Sequence, residues 1–226
     1  GRNFLILNAA YLTRAPYFRE AYISPRTRDH VVDNLVSEQI MSGDFSYHYR
    51  APKFQVKLTG YYTEFNNGIE SNSFYHDELR TFVNYIMTDV DRLHYGGEFG
   101  VEAKLTSTIT VNAAAGYGKF LYNSRPNVTI AQDNSSEVLA ENRTVYIQNY
   151  HLGGMPELAA SVGGKYNAPK YWFVGVNANY FGESYVTINP ERRTAESLDI
   201  FVDDDPQLNE VLEQEKLDPG YTFDIW

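Results

Sequence analysis

Five histidines and a few carboxylates are the residues of this sequence whose types could support chemistry. The histidines are His30, His48, His76, His94 and His151. Because His48, His94 and His151 fall on the polar side of alternating segments, a metal site between them is conceivable. The alternative, which we favour, is that each histidine only hydrogen-bonds to its neighbours. We therefore expect no bound metal ion and no cofactor.

Glu98 and Glu102 form a pair of carboxylates on one side of a segment that also carries Lys104. Four residues of an extended strand separate them by about 13 Å, which is too far for the carboxyl pair of a glycosidase. The sequence also lacks a nucleophile elbow, a zinc-binding helix motif, a phosphate loop and a dinucleotide fingerprint. These observations predict a binding or transport protein and not an enzyme.

Composition excludes several other classes of protein. The 226 residues include no cysteine, which excludes a disulfide framework and a thiolate metal site. The formal net charge of -10 argues against a nucleic-acid partner, because phosphate binding needs a basic surface. No apolar stretch approaches the roughly 18 residues of a membrane helix, and the longest candidate is Tyr171 to Val176.

Alternation with a period of two is the main structural signal of the chain. In one segment an apolar side (Leu93, Tyr95, Gly97, Phe99, Val101, Ala103) opposes a polar side (His94, Gly96, Glu98, Gly100, Glu102, Lys104). Similar patterns follow Met41, Lys53, Ile109 and Trp172. Three weaker strands are expected at Phe4–Thr13, at Tyr150–Tyr166 with a break at Pro156, and from Gly220 onward. The pattern predicts about seven or eight strands, many of them longer than the usual five or six residues.

The connections between these strands alternate between long and short. The long ones are Arg14 to about Asn34, Asn66 to about Thr81, Asn123 to about Asn149, and Asn189 to Pro219; the tight turns are Ala51–Lys53, Leu105–Thr108 and Asn167–Lys170. Short periplasmic turns and long extracellular loops are typical of transmembrane barrels. The sequence therefore predicts an all-β fold, a segment of an antiparallel transmembrane β-barrel.

The two sides of the strands suit this interpretation. The polar side would line a wet or filled lumen, and its candidate lining residues are Asp44, His48, Lys57, His94, Glu98, Glu102 and His151. Tyrosine and tryptophan flank two of the short turns, as in the aromatic belts of membrane proteins. Phe54 to Tyr62 covers about 26 Å of strand, or roughly 20 Å of height at a tilt of ~40°, close to the ~25 Å apolar band of a barrel. A soluble β-sandwich that binds a ligand is the rival fold, but it explains neither the strand length nor the regular alternation of connections.

Two of the long loops carry candidate binding residues. The first is rich in arginine and aromatic residues, which could contact an anionic or sugar-like ligand: Arg14, Tyr17, Phe18, Arg19, Tyr22, Arg26 and Arg28. These side chains could equally pack the loop against its neighbour or contact lipopolysaccharide. In the last loop, Asp205 is expected to cap a short helix that begins at Pro206.

Several stretches resemble the late barrel of TonB-dependent outer-membrane receptors. The stretch from Leu12 to Tyr22 is similar to a strand that runs into an R-x-P-x-F motif in that family, and Leu35 to Gln39 is similar to the opening of the next strand. Gly60 to Glu70 and Gly96 to Glu102 resemble two further strands. The order of these stretches carries the resemblance, which extends from Ala9 to about Tyr185.

The resemblance implies a 22-stranded barrel closed by an N-terminal plug, which captures a scarce substrate and imports it with energy from TonB. On this interpretation residues 1–226 are the C-terminal portion of the barrel, a fragment without the plug and signal peptide, in the cell outer membrane. Implied partners are outer-membrane lipid, the TonB complex and a transported small molecule or oligomer, with a surface lipoprotein as a further candidate. A soluble extracellular binding module and a passive outer-membrane pore remain the alternatives.

Overall fold

The protein forms one antiparallel β-sheet with few helical turns. The computed structural model describes residues 1–24, 29–33, 35–77, 79–133, 135, 137–199 and 206–226. The strands are β1 (Asn3–Arg14), β2 (Glu38–Arg50), β3 (Phe54–His76), β4 (Thr81–Lys104), β5 (Ile109–Tyr122), β6 (Asn127–Gln132), β7 (Val138–Thr144), β8 (Pro156–Asn167), β9 (Phe173–Tyr185), β10 (Lys216–Leu217) and β11 (Gly220–Ile225).

The helical elements all lie in connections between strands. They are α1 (Phe18–Ala21), a 3₁₀ turn (Pro190–Arg193), α2 (Ala195–Leu198) and α3 (Pro206–Leu212). The expected helix at Pro206 is confirmed, whereas its proposed cap, Asp205, lies outside the described residues. None of the helices in the described ranges is long and apolar enough to cross a membrane.

The long strands follow one another across the sheet in the order β1-β2-β3-β4-β5-β8-β9, and β9 pairs with both β10 and β11. Every pairing is antiparallel. The two outermost strands, β1 and β11, do not pair with each other in the described part of the chain. The protein is thus an open segment of barrel wall, as the period of two predicted.

The register separates a polar face of the sheet from an apolar face. In one row across the sheet Ser46 lies opposite Thr59, and Thr59 lies opposite Glu98. In the next row Phe45 lies opposite Gly60. The apolar face leaves large side chains uncovered, such as Leu7 and Val162, which are 77% and 64% exposed. Such a surface suits a lipid environment, since soluble proteins rarely expose contiguous apolar patches of this kind.

A row of tyrosines crosses the apolar face near the outer ends of the strands. Tyr62 lies opposite Tyr95, and Tyr11 and Tyr117 lie on the same face in neighbouring strands. All four side chains are exposed. This tyrosine belt marks the outer boundary of the apolar band, because tyrosine prefers the interface between membrane and water.

The prediction of a long loop from Asn66 to about Thr81 was wrong. β3 extends to His76 and β4 begins at Thr81, and the two strands stay paired through this region. The continuation of both strands could not be read from the sequence, because bulges between Phe65 and Glu70 shift the register. Asn67 and Asp89 adopt positive φ angles at this point, and the apolar and polar positions exchange faces above it.

The third long connection and the strand around Pro156 also need correction. The region from Asn123 to Asn149 contains β6 and β7, and β6 pairs with the outer part of β4. The strand predicted from Tyr150 begins only at Pro156. A proline is tolerated there because the first residue of a strand need not donate a hydrogen bond.

The parts of β3 and β4 beyond the bulges (residues 70–76 and 81–88) pair with each other, β4 pairs with β6, and β6 pairs with β7; we call this region the outer sheet. The buried apolar clusters of the described residues lie here. One cluster contains Val83, Tyr85, Met87, Val90, Tyr122, Val128, Ile130, Val145 and Ile147. A second cluster, on the other side of the outer sheet, joins Ile23 and Val32 of the first long loop to Ile86 and Ala131. The outer sheet is therefore a packed unit that holds several external loops together.

Candidate functional site

The strands bring six of the seven predicted lumen residues onto the polar face. Asp44 and His48 lie on β2, Lys57 on β3, and His94, Glu98 and Glu102 on β4. His48 lies opposite Lys57 in the register. The seventh residue, His151, precedes β8 and makes only an isolated bridge with Leu121. Whether these residues line a lumen in the intact protein stays a prediction.

Small side chains form the floor of this polar face. Gly100, Ala114 and Gly116 line a concave cavity of about 380 Å³, with Lys57 and Glu98 at its side. The space above Gly100 is open, since a Cβ atom added there would have no neighbouring atom within 4 Å. The centre of the polar face therefore has room for another segment of protein to lie against it.

Tyr61 covers two glycines of the same face. Its hydroxyl lies over Gly96 of β4 and Gly118 of β5, at positions that any side chain on these residues would occupy. A tyrosine that packs across glycines of neighbouring strands holds the sheet together where the glycines themselves contribute no side-chain contact. The sequence shows these glycines but does not indicate which aromatic ring covers them.

The three histidines of the polar side do not form a metal site. His94 packs between Phe65 and Phe120, with ring centroids 4.9 and 5.1 Å away. His48 and His94 lie opposite Lys57 and Thr63, six residues apart on β3, or about 20 Å along the strand. Within the described residues, no group of three or more histidine, cysteine, aspartate or glutamate side chains is placed to hold a metal ion.

An ionic cluster crosses the wall at the outer end of the polar face, and we call it the Glu38 cluster. Glu38 accepts ion pairs from Arg14 at 2.7 Å and from Arg92 at 2.8 Å, while its side chain is 5% exposed. Arg92 also lies 3.8 Å from Glu70, and the Tyr122 hydroxyl donates to Glu70. The cluster ties β1, β2, β3, β4 and β5 together where the outer sheet begins.

Burial raises the pKa of the Glu70 carboxyl above its usual range, and the Arg92 guanidinium opposes this shift only in part. Glu70 lies on the projecting part of β3. The burial that raises this pKa also shields the Glu38 side chain, which is nearly inaccessible to water, and this strengthens the ion pairs around it.

The substitution Glu38→Gln is expected to lower the free energy of unfolding by roughly 2 kcal/mol, because it removes the buried charge that pairs with both Arg14 and Arg92 and leaves Arg92 only its longer contact with Glu70. Urea titration of the purified protein in detergent would measure the loss. Glu102→Gln is the matched control, since the Glu102 side chain is exposed and forms none of the ion pairs seen among the described residues. Equal midpoints for the two variants would show that the Glu38 cluster does not stabilise the wall.

A second ionic cluster surrounds Glu157, whose side chain is fully buried. Lys119 lies 3.0 Å from one carboxylate oxygen, and the His151 Nδ1 atom lies 2.7 Å from the other. The backbone N–H of Phe120 donates to the same carboxylate at 3.1 Å, and the His151 ring stacks on Tyr185 at 3.8 Å. We call these residues the Glu157 cluster.

Sequence reasoning identified His151 but missed Glu157. The one available signal was a charged residue directly after Pro156, at the predicted break of the strand from Tyr150 to Tyr166. In the structure, pairing of β5 with β8 ends at Leu158, and Glu157 accepts a hydrogen bond from the backbone of Phe120 just beyond that point.

The last external loop is attached to the wall next to this cluster. The Gln214 side chain bonds to both the backbone N–H and the carbonyl of His151, at 2.8 and 2.7 Å. The Tyr150 hydroxyl donates to the carbonyl of Leu212, and Arg193 donates to the carbonyl of Val211. Polar contacts therefore hold α3 and its flanks against the barrel wall.

The predicted ligand contacts of the first long loop do not all form one surface. Arg14 is engaged by Glu38 and donates to the Tyr17 hydroxyl at 3.1 Å. Phe18 packs against Tyr22 with ring centroids 4.8 Å apart, and the Arg19 side chain is exposed. Arg26 and Arg28 lie outside the described residues. Ligand contact by any of the seven residues stays a prediction.

A family comparison agrees with the geometry of the wall. The family described as "TonB dependent receptor-like, beta-barrel" matches residues 4–223. The chain belongs to this family. Members of this TonB-dependent receptor family are outer-membrane receptors and transporters, which accounts for a wall with one polar and one apolar face.

One solved structure shows the same fold as this chain. The chain superimposes on the "Copper transporter OprC" with a TM-score of 0.63 and 17% identity, over 99% of this chain and 28% of that one. A weaker likeness is to the toluene transporter TodX of P. putida, with a TM-score of 0.41 and 14% identity over 80% of this chain and 50% of TodX. No curated protein sequence matches the chain. This TonB-dependent receptor segment thus spans a little over a quarter of the length of OprC.

Proposed function

We propose that this chain is the C-terminal portion of the barrel of an outer-membrane receptor, which binds a scarce extracellular substrate and imports it with energy from TonB. The observation that supports this function most directly is the sheet with two chemically different faces. The apolar face suits outer-membrane lipid, and the polar face, with its floor of small residues, suits a plug that fills the lumen. The residues themselves do not reveal the substrate, for which an iron chelate, a corrinoid, a glycan and a peptide remain candidates.

In this mechanism the wall does not react with the substrate. External loops hold the substrate above the barrel, and a plug domain supplied by another part of the protein rearranges to open the path. TonB and the transported molecule are the proposed partners, and a surface lipoprotein is a further candidate. The Glu38 cluster fixes the rim over which the substrate would enter.

Uptake by host cells tests this function. Cells that lack the protein, cells that lack TonB and wild-type cells would be compared for retention of a labelled ferric chelate, cyanocobalamin, a maltooligosaccharide and an oligopeptide. We expect one label to accumulate in wild-type cells, to bind without accumulating in cells without TonB, and to do neither in cells without the protein. Accumulation that is unchanged without TonB would instead indicate a passive pore.

Fractionation of host cells distinguishes the proposed receptor from the remaining alternative, a soluble binding module. A soluble binding module would appear in the soluble fraction and need no detergent. The proposed receptor would appear in the outer-membrane fraction as a band that migrates differently before and after boiling.

A further inference from the structure

The first external loop, residues 15–37, exposes more large apolar side chains than the other external loops do within the described residues. Phe18 is 72% exposed and Val36 is 48% exposed. Tyr17, Val31 and Leu35 are exposed as well. Several exposed apolar residues on one loop favour a contact surface, because isolated apolar residues scattered over a surface are the usual case.

The middle of this loop, around Ile23 and Val32, lies on the lipid-facing side of the sheet. Met87 of β4 packs in the cluster that includes Tyr122 of the polar face, and its neighbour Ile86 therefore points to the opposite side. Ile23 and Val32 of the loop pack against Ile86. The body of the loop thus covers the continuation of the apolar face above the tyrosine belt.

The charges of the loop do not favour an anionic ligand. Three arginines outside the Glu38 cluster (Arg19, Arg26, Arg28) are matched in number by three acidic residues (Glu20, Asp29, Asp33). Arg14, which ends β1 just before the loop, is already paired with Glu38. The contact that this loop offers is therefore mainly apolar.

The exposed residues continue an interface that the fold already presents. Tyr11 belongs to the tyrosine belt and is 63% exposed, and the loop leaves β1 only three residues later, after Arg14. Aromatic and apolar side chains at this height lie where lipid headgroups meet the hydrocarbon region.

We propose that the first external loop is an interfacial anchor, in which Phe18, Leu35 and Val36 contact lipid of the outer leaflet. The loop then bends outward over the lipid instead of closing over the substrate. This inference rests on the proposed location in the outer membrane. It assigns the aromatic residues of the loop to lipid contact and not to ligand capture.

Site-directed fluorescence tests the anchor. This stretch of 226 residues contains no cysteine. Phe18→Cys and Val36→Cys variants of the full-length protein, with any cysteine outside the stretch replaced by serine, can therefore each carry one bimane label in phosphatidylcholine vesicles. Leu58→Cys, on the lipid-facing side, and Tyr75→Cys, at the tip of the outer sheet, are the controls. Labels at positions 18 and 36 are expected to be quenched by doxyl-labelled lipid, as at position 58, and only weakly by iodide.

Four other outcomes would overturn the anchor. Quenching by iodide alone at both loop positions, as expected at position 75, would place the loop in water. Protection from both quenchers would show that another protein segment covers it. Lipid quenching that requires added anionic phosphatidylglycerol would show an electrostatic contact. If position 58 is itself not quenched by lipid, the proposed membrane location fails, and the anchor fails with it.

Discussion

Gly96→Val is expected to prevent the wall from forming, whereas Gly100→Val in the same strand and on the same face is expected to fold. A Cβ atom at Gly96 would lie 2.5 Å from the Tyr117 carbonyl oxygen and 2.6 Å from the Gly118 Cα atom. Both are backbone atoms of the neighbouring strand, so relief requires the strands to separate. The loss should exceed the ~1–3 kcal/mol that overpacking of a core usually costs.

Refolding into detergent micelles would measure this difference. The fraction of protein that shows the compact band without boiling should fall sharply for Gly96→Val. It should stay near the wild-type value for Gly100→Val, because a Cβ atom at Gly100 would have no neighbouring atom within 4 Å. Equal folding of both variants would show that Tyr61 and the Tyr117 backbone do not lie over Gly96.

Glu157→Leu is expected to lower the free energy of unfolding by about 3 kcal/mol, since it leaves Lys119 and His151 without their shared buried partner. The backbone N–H of Phe120 loses its acceptor as well. Because Gln214 attaches the last external loop to the backbone of His151, this loop should also become accessible to protease. Urea titration and limited proteolysis of the same samples would measure both effects.

Glu183→Gln is the control for this substitution. Glu183 pairs with Lys216 at 2.6 Å, but both side chains are substantially exposed, and surface ion pairs contribute at most about 1 kcal/mol. If Glu157→Leu and Glu183→Gln destabilise the protein to the same small extent, the Glu157 cluster has no special role in holding the loop.

The spanning part of the wall could be predicted from the sequence because the two faces of the sheet suit different environments. Apolar and polar residues therefore alternate along each strand. The alternation of apolar and polar residues from Leu93 to Lys104 indicates the strand directly, and each short turn is marked by proline or by polar residues. A bulge interrupts this alternation. Above Phe65 the register shifts, the phase of alternation changes, and a strand of 23 residues looked like a strand followed by a loop.

The clusters that stabilise the wall could not be predicted for a different reason. Glu38 and Arg92 are 54 residues apart in sequence, and Glu157 and Lys119 are 38 apart. Their pairing depends on strand order and register, which one sequence does not specify. The three histidines His48, His94 and His151 illustrate the same limit. Their common polar face suggested that they could lie close together, but the strand register keeps them apart.

We expect one face of this sheet to contact lipid and the other to contact an aqueous or protein-filled lumen. Nitroxide labels at single cysteine substitutions from Leu93 to Glu102 of β4, leaving out Gly96 because a side chain there meets the backbone of β5, test it most directly in the reconstituted full-length protein. Collision with oxygen, which dissolves in lipid, should be high at Leu93, Tyr95, Gly97, Phe99 and Val101 and low at His94, Glu98, Gly100 and Glu102. A water-soluble nickel complex should not favour the first set. Higher nickel accessibility at Tyr95, Phe99 and Val101, or the loss of the period of two, would contradict the account.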